Sequence, residues 1–303
     1  MGTLGAKKTA TLVLGGGAAL GLAHIGVLSV LEKHFEITGI IGASMGAIVG
    51  ALYSIGRSPT EILKIASRQR NAKVFSPLNL DLHIRGIFDG RYMLKLFEDW
   101  TDNEWIENGN IPFIACAYDL LNRSTVLFDQ GAYADAMRAS SSLPLIFAPY
   151  AFNKYLLVDG GTQTPLPLAF THLFKSDLVV AVNVLPLVES AARRVDMEPA
   201  DIKKRKRIHR TEVVMQAVFQ NQAYLALRDI IAYEPDIIID AAMPENNPFA
   251  FHKANSFFEY GKNIAKITMA EYHEPNFIDK TRRHYLNMVA KMASLALPAK
   301  DIS

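Results

Sequence analysis

The sequence predicts an α/β protein built around a largely parallel β-sheet. Two observations lead to this fold class. Short apolar runs typical of buried strands alternate with segments of helical periodicity, and the joins between them are short and rich in glycine. The chain has 303 residues, of which 50% are hydrophobic and 20% charged, so it is long enough to enclose a substantial core.

Each element of the first half is predicted by its own pattern. Residues 9–14 (TATLVL) form an apolar run that predicts a buried strand, and the glycines at 15–17 predict a tight loop behind it. Apolar side chains recur at helical spacing across 18–34, which predicts the first helix. A second strand is predicted at 37–41 and a second helix at 47–55.

The second half continues with the same signals but includes longer helices. No linker of distinct composition separates the two halves, so we expect a single domain over 1–303. The predicted elements are strands at 112–119, 124–128, 154–158, 178–184 and 235–239, and helices before Pro235 and at 257–269.

Composition narrows the classes of protein that the chain can belong to. The formal net charge of +2 argues against nucleic acid as an overall partner. A single cysteine, Cys116, excludes an internal disulfide framework and suits a reducing compartment. Lys7 and Lys8 followed by apolar residues imitate a secretory signal, but the glycines at 15–17 would interrupt its helix. We therefore expect a soluble, cytoplasmic protein.

The most informative motif is the pentapeptide 42–46 (GASMG), which is a G-x-S-x-G sequence between a predicted strand and a predicted helix. In that context the motif forms a nucleophile elbow, a sharp turn that exposes the serine hydroxyl at the rim of a sheet. Ser44 is therefore the candidate nucleophile. A serine hydroxyl is a poor nucleophile at neutral pH, so it needs a base within hydrogen-bonding distance.

Two further glycine-rich segments complete a candidate site. Backbone N–H groups of the 15–17 loop can point at a developing oxyanion, because no side chains obstruct them. Asp159 ends a predicted strand and is followed by Gly160 and Gly161, so its carboxylate can lie close to another backbone segment. The alternative for Asp159-Gly160 is a type I′ hairpin turn.

Four segments occur in an order and at a spacing that resemble the patatin-like phospholipase family. The resemblance covers about residues 11–185 and extends more weakly to 251–262. The segments are VLGGGAALGLAHIGVL (13–28), GASMG (42–46), MRASSSLPLIFAPY (137–150) and LLVDGG (156–161).

The resemblance implies a three-layer α/β/α fold with a mostly parallel central sheet, and a serine hydrolase that cleaves carboxylic ester bonds of lipids. It implies a catalytic dyad of Ser44 as nucleophile and Asp159 as base, without metal, cofactor or histidine. The glycine loop would be the oxyanion hole, formed by Gly15, Gly16, Gly17 and Ala18. The catalytic core would span about 9–185, with a basic helical segment and C-terminal helices at about 190–300.

One position departs from the family pattern and keeps other functions open. Leu20 stands where the family usually has arginine or lysine. This favours, as an alternative, a weakly active or inactive lipid-binding or regulatory protein on the same fold. A second alternative is a Ser-Asp-His hydrolase completed by His252, His273 or His284. A dinucleotide-binding loop is disfavoured, because no acidic residue ends the second strand.

The strongest charge feature is the run Lys203, Lys204, Arg205, Lys206 and Arg207. Residues 191–210 hold eight basic and three acidic side chains, so the positive charge is concentrated there. Such a run can be a solvated helix face or a contact to anionic lipid. We therefore expect a lipid or phospholipid substrate, peripheral membrane contact through this run, and no nucleic acid.

Overall fold

A computed structural model describes residues 7–68, 88, 90–186, 210–244 and 247–294. The basic run at 203–207 lies outside these ranges. The strands are β1 (Thr9–Leu14), β2 (Glu36–Ala43), β3 (Phe113–Asp119), β4 (Ser124–Phe128), β5 (Tyr150–Phe152), β6 (Tyr155–Asp159), β7 (Leu178–Asn183) and β8 (Ile237–Asp240). The helices are α1 (Ala23–His34), α2 (Met45–Ser54), α3 (Pro59–Arg68), α4 (Arg91–Thr101), α5 (Tyr133–Ser140), α6 (Arg210–Tyr233), α7 (Ala254–Tyr272) and α8 (Phe277–Ser294).

The strands form one mixed sheet in the order β5-β6-β3-β2-β1-β7-β8, and β4 pairs with β3. The central pairs β3–β2, β2–β1, β1–β7 and β7–β8 are all parallel. The pairs of β3 with β4 and β6, and of β5 with β6, are antiparallel. The prediction of a mostly parallel central sheet is confirmed.

Alternation along the strands shows that both faces of the sheet are covered. Leu12 and Leu14 of β1 pack in the main core, which also holds apolar side chains of α1, α2, α3 and α7. Val13, between them, belongs to a second core with Leu227 of α6 and Tyr285 of α8. Because successive strand side chains point to opposite faces, the helices form one layer on each side. The fold is therefore three-layered, as predicted.

The order of pairing along β3 brings two distant parts of the chain together. β4 pairs with residues 115–119 along one edge of β3. The other edge pairs first with β2, up to Cys116 opposite Ala43, and then with β6, from Ala117 opposite Asp159. β6 thus begins to pair where β2 stops, so the end of β6 lies beside the turn that follows β2.

Helix α7 packs closely along α1, which ties the C-terminal region to the core. A methyl group at Gly26 would overlap the carbonyl oxygen of Phe258, and one at Gly261 would overlap that of Ala23. The two glycines therefore allow the helix backbones to approach directly. None of the helices among the described residues is both long and apolar enough to span a bilayer.

Candidate active site

Ser44 occupies a sharp turn between β2 and α2. Its φ is 53° and its ψ is −123°, a conformation that a residue with a side chain rarely adopts. A Cβ at Gly42 would lie 2.6 Å from the backbone of Ala47, and one at Gly46 would overlap the carbonyl of Leu14. Glycine is required at both positions because the helix and the first strand pass so close.

Asp159, at the end of β6, accepts a hydrogen bond from the Ser44 hydroxyl. The distance from Ser44 Oγ to Asp159 Oδ2 is 2.5 Å, and Asp159 Oδ1 accepts from the Gly161 amide at 2.7 Å. The aspartate is 1% exposed. The two side chains are 115 residues apart in sequence, and the shared edge of β3 brings them together.

Burial dominates the electrostatics of this carboxyl group. It raises the pKa of Asp159 from 3.8 to about 6, and the hydrogen bonds from Ser44 and Gly161 only partly oppose the rise. The carboxylate is therefore mostly ionised above neutral pH and can accept a proton there. A base that is poised near the working pH is suited to general base catalysis.

The glycines after Asp159 are both explained by close approach. A Cβ at Gly160 would overlap the Cys116 carbonyl of β3, and one at Gly161 would lie 2.8 Å from Nε2 of Gln222 in α6. Gly160–Thr162 forms a 3₁₀ turn. The Asp159 carboxylate caps this turn by accepting a hydrogen bond from the Gly161 amide. The alternative interpretation of Asp159-Gly160 as a hairpin turn is therefore wrong.

The glycine loop follows β1, and its four amides divide into two pairs. The Gly15 amide donates to the carbonyl of Val182 at 3.1 Å, and the Gly16 amide donates to that of Pro165 at 2.8 Å. Within the described residues, the amides of Gly17 and Ala18 have no hydrogen-bond acceptor. Gly17 and Ala18 are thus the two members of the predicted loop whose N–H groups remain available to a ligand.

His24 of α1 supports this loop from behind. Its Nε2 lies 2.7 Å from the Gly15 carbonyl oxygen, and the side chain is fully buried. Burial lowers the pKa of His24 to about 4, so the ring is neutral at physiological pH and Nε2 donates to the carbonyl. Its Nδ1 is buried without a hydrogen-bond partner in the described part of the chain.

Two further serines, Ser140 and Ser142, hold the backbones of Ser44 and Asp159 in place. The Ser140 hydroxyl accepts from the backbone amide of Ser44 at 2.9 Å and donates to the Cys116 carbonyl at 2.6 Å. The Ser142 carbonyl accepts from the Asp159 amide at 3.0 Å. The segment 137–150 was singled out only as part of the family resemblance, because a tertiary contact of this kind has no local sequence signal.

Ser44 lies in the wall of an apolar cavity of about 140 Å³. The cavity runs between α1, α2, α3 and α4, and among the described lining residues Ser44 and Ser141 carry hydroxyl groups. The lining includes Ala18, Leu22, Ile25, Met45, Ile48, Val49, Leu52, Ile62, Ile65, Ala66, Met93, Leu96, Phe97, Trp100, Leu143, Ile146, Phe147, Phe249 and Phe251. Such a surface is suited to a hydrocarbon chain.

Leu20, the position that departs from the family pattern, is a core residue here. It is 4% exposed and packs within the main apolar cluster, in a 3₁₀ segment, Ala18–Leu22, that precedes α1. The predicted first helix therefore begins as a 3₁₀ turn. Leu20 itself cannot place a charge beside the loop.

The structure places the candidate histidines in other surroundings. His252 is exposed, His273 packs against the ring of Tyr272, and His284 packs against Tyr285. The hydrogen bond between the serine and the aspartate is direct and involves no histidine. In the ranges that the structure covers, no group of three or more His, Cys, Asp or Glu side chains is arranged to hold a metal ion.

Comparison with known proteins decides the family. The family model described as patatin-like phospholipase matches residues 12–171. The chain belongs to the patatin-like phospholipase family. The matched range of this patatin-like chain holds the glycine loop, Ser44 and Asp159, whereas α6, β8, α7 and α8 lie beyond it.

Several relatives of this patatin-like chain carry names. An uncharacterized NTE family protein of Mycobacterium tuberculosis is 36% identical over 189 residues, which are 62% of this chain and 52% of that protein. Neuropathy target esterase sws of Drosophila melanogaster is 31% identical, over 57% of this chain and 13% of its own. Lysophospholipase NTE1 of Scheffersomyces stipitis is 29% identical, over 57% and 11%. The chain thus spans about half the length of the mycobacterial relative and a small part of the others.

Proposed function

We propose that this protein is a serine lipid acyl hydrolase that uses Ser44 as nucleophile and Asp159 as general base. The observation that carries the proposal is the 2.5 Å hydrogen bond between the buried Asp159 carboxylate and the hydroxyl of Ser44, a residue in the wall of an apolar cavity. Membership of the patatin-like phospholipase family supports a lipid hydrolase, and relatives named as an esterase and a lysophospholipase support ester substrates.

In the proposed reaction, Ser44 Oγ attacks the ester carbonyl carbon while its proton passes to Asp159 Oδ2. The negative charge then forms on the carbonyl oxygen, and the Gly17 and Ala18 amides, which have no acceptor among the described residues, would donate to it. The leaving alcohol takes the proton from Asp159, and the acyl group stays on Ser44. Water then gives a proton to Asp159 and attacks the acyl-enzyme, which releases the fatty acid and restores the serine.

The proposed substrate is a lipid ester with one acyl chain in the apolar cavity, a phospholipid or lysophospholipid. None of the described lining residues carries a charge, so this part of the lining would bind hydrocarbon and leave the head group outside. We further propose a cytoplasmic protein that contacts membranes through Lys203, Lys204, Arg205, Lys206 and Arg207. Each basic residue near an anionic surface contributes about 1 kcal/mol.

A second candidate function is lipid binding without turnover, which the apolar Leu20 favours.

The test that separates the two functions is covalent labelling of the purified chain with a fluorophosphonate probe, followed by mass spectrometry of the labelled peptide. We expect labelling at Ser44 that is lost in Ser44→Ala, strongly reduced in Asp159→Asn and unchanged in a control at the exposed residue Ser124, Ser124→Ala. If the wild-type protein bound lipid vesicles but was not labelled by the probe, lipid binding would replace hydrolysis as the proposed function.

A further inference from the structure

Helix α6 carries two polar residues in its buried stripe, Gln222 and Asp229, and Gln222 is the one beside the turn that follows Asp159. Gln222 is 3% exposed, and apart from Asp229 its buried neighbours on this part of the helix are apolar. Those neighbours are Met215, Ala223, Ala226, Leu227 and Ile230. The Gln222 amide is not among the fully buried polar atoms that lack a partner in the described part of the chain, so its N–H and C=O groups remain within reach of water. No hydrogen bond joins the Gln222 amide to another of the residues that the structure describes.

The Gln222 amide faces the turn that follows Asp159. Nε2 of Gln222 and Oδ1 of Asp159 lie 2.8 Å and 2.9 Å from the point that a Cβ at Gly161 would occupy. The two atoms are therefore less than about 6 Å apart, yet they share no direct hydrogen bond; one water molecule can close such a gap with two hydrogen bonds of about 2.8 Å each.

We propose that Gln222 is a positioning residue of the active site, and that its amide donates through one bound water to Oδ1 of Asp159. This proposal rests on the proposed function, because it assigns Gln222 a role in keeping that base ionised. Oδ1 would then accept one hydrogen bond from the Gly161 amide and one from the water. Oδ2 would remain directed at the Ser44 hydroxyl. Gln222 would act on the reaction through Asp159 and would not touch the substrate.

Among the described residues, the elements packed around Asp159 hold few other titratable or charged groups that could change its pKa. On β3, burial raises the pKa of the Cys116 thiol, which stays neutral. On α5, the Arg138 guanidinium is directed at the carbonyls of Gly90 and Ala148 and at the Ser142 hydroxyl. On α6, Arg228 and Asp229 pair with each other, more than one helical turn beyond Gln222.

The test is the pH dependence of the rate at which a fluorophosphonate probe labels Ser44, measured on the full chain from pH 4.5 to 9. Gln222→Met keeps the length of the side chain but removes the donor. We expect the midpoint of the acidic limb to move up by about half a pH unit or more, with near-normal labelling at pH 9. Gln222→Glu adds a carboxylate at the same point, so we expect a larger upward movement.

The matched control is Leu227→Met, a volume-conserving change at a buried position further along α6. We expect the wild-type midpoint in this variant. An unchanged pH midpoint in Gln222→Met would overturn the proposal, even if the midpoint moved in Gln222→Glu. A uniform loss of labelling that follows the loss of folded protein by circular dichroism would also overturn it in favour of packing. Wild-type protein without labelling at Ser44 would instead remove the proposed function, and this inference with it.

Discussion

At the scale of single residues, the carboxyl group of Asp159 meets two opposing requirements. The proposed base must be ionised, but burial raises its pKa to about 6 against 3.8 for an ordinary aspartate. Between these pH values the unfolded chain binds fewer protons than the folded one. The free energy of unfolding therefore falls as the pH rises through this window, and the loss is complete above about pH 6.

We predict that Asp159→Asn, which cannot ionise, unfolds at a higher temperature than the wild type at pH 8. The expected gain in unfolding free energy is about 2–3 kcal/mol, and it should disappear below pH 4. Thermal unfolding at both pH values tests this. The control is Asp119→Asn, where burial is outweighed by hydrogen bonds from Leu156, Asn122 and Leu121 that lower the pKa of Asp119. That variant should lose stability at pH 8, and a gain shared by both variants would contradict the argument.

His24 is the second residue whose chemistry can be tested alone. In His24→Leu the Gly15 carbonyl loses its buried donor, so the loop that carries the Gly17 and Ala18 amides is less firmly held. We expect the rate of ester hydrolysis to fall on the order of tenfold or more. Because His24 is neutral well above pH 4, the ratio of variant to wild-type rates should be constant from pH 6 to 9. The exposed His172→Leu is the control and should keep the wild-type rate.

At the scale of elements, the contact between α1 and α7 links the matched family region to the segment beyond it. The Gly261→Ala methyl group would overlap the Ala23 carbonyl at the start of α1. We predict a destabilisation of about 1–3 kcal/mol, measured by urea unfolding. Asn263→Ala is exposed on the same helix and should leave the stability unchanged or slightly higher. Equal stability of the two variants would show that α7 can move away without cost.

The elements that the sequence predicts are those with strong local signals. Strands such as β1 and β7 are continuous apolar runs because both faces of the sheet are covered, and glycine joins mark their ends. Helices α4 and α5 and strand β5 were not predicted. β5 has three residues, and α5 places even Arg138 in the interior, so neither shows the pattern of an ordinary amphipathic element.

The candidate site divides in the same way. Ser44, Asp159 and the glycine loop could be proposed because close backbone approach demands glycines that are visible in the sequence. Ser140 could not, because its hydroxyl meets the Ser44 amide across 96 residues of chain. Nor could the sequence show that the amides of Gly15 and Gly16 donate to the carbonyls of Val182 and Pro165, because both hydrogen bonds are tertiary contacts.

At the scale of the whole molecule, four helices and the turn at Ser44 enclose the cavity. Along α2 its wall extends from Ser44 to Leu52, eight residues or about 12 Å of helix. Leu52→Trp should fill the far end, so we predict faster hydrolysis of short-chain esters relative to long-chain esters. Rates across a series of p-nitrophenyl esters measure the shift. Tyr53→Trp, which changes the neighbouring residue outside the lining, should keep the wild-type profile.

Ser44 and Asp159 are far apart in sequence, so the reactivity of the serine can report how far the chain has folded. In the proposed mechanism, a refolding chain that has formed only the β2–α2 turn holds Ser44 without its proposed base, so the serine should not react with the probe. Asp159, the proposed base, reaches Ser44 when β6 pairs with β3 beyond the end of β2. Pulses of fluorophosphonate during refolding would therefore show, by labelling at Ser44, when β6 pairs with β3 beside β2.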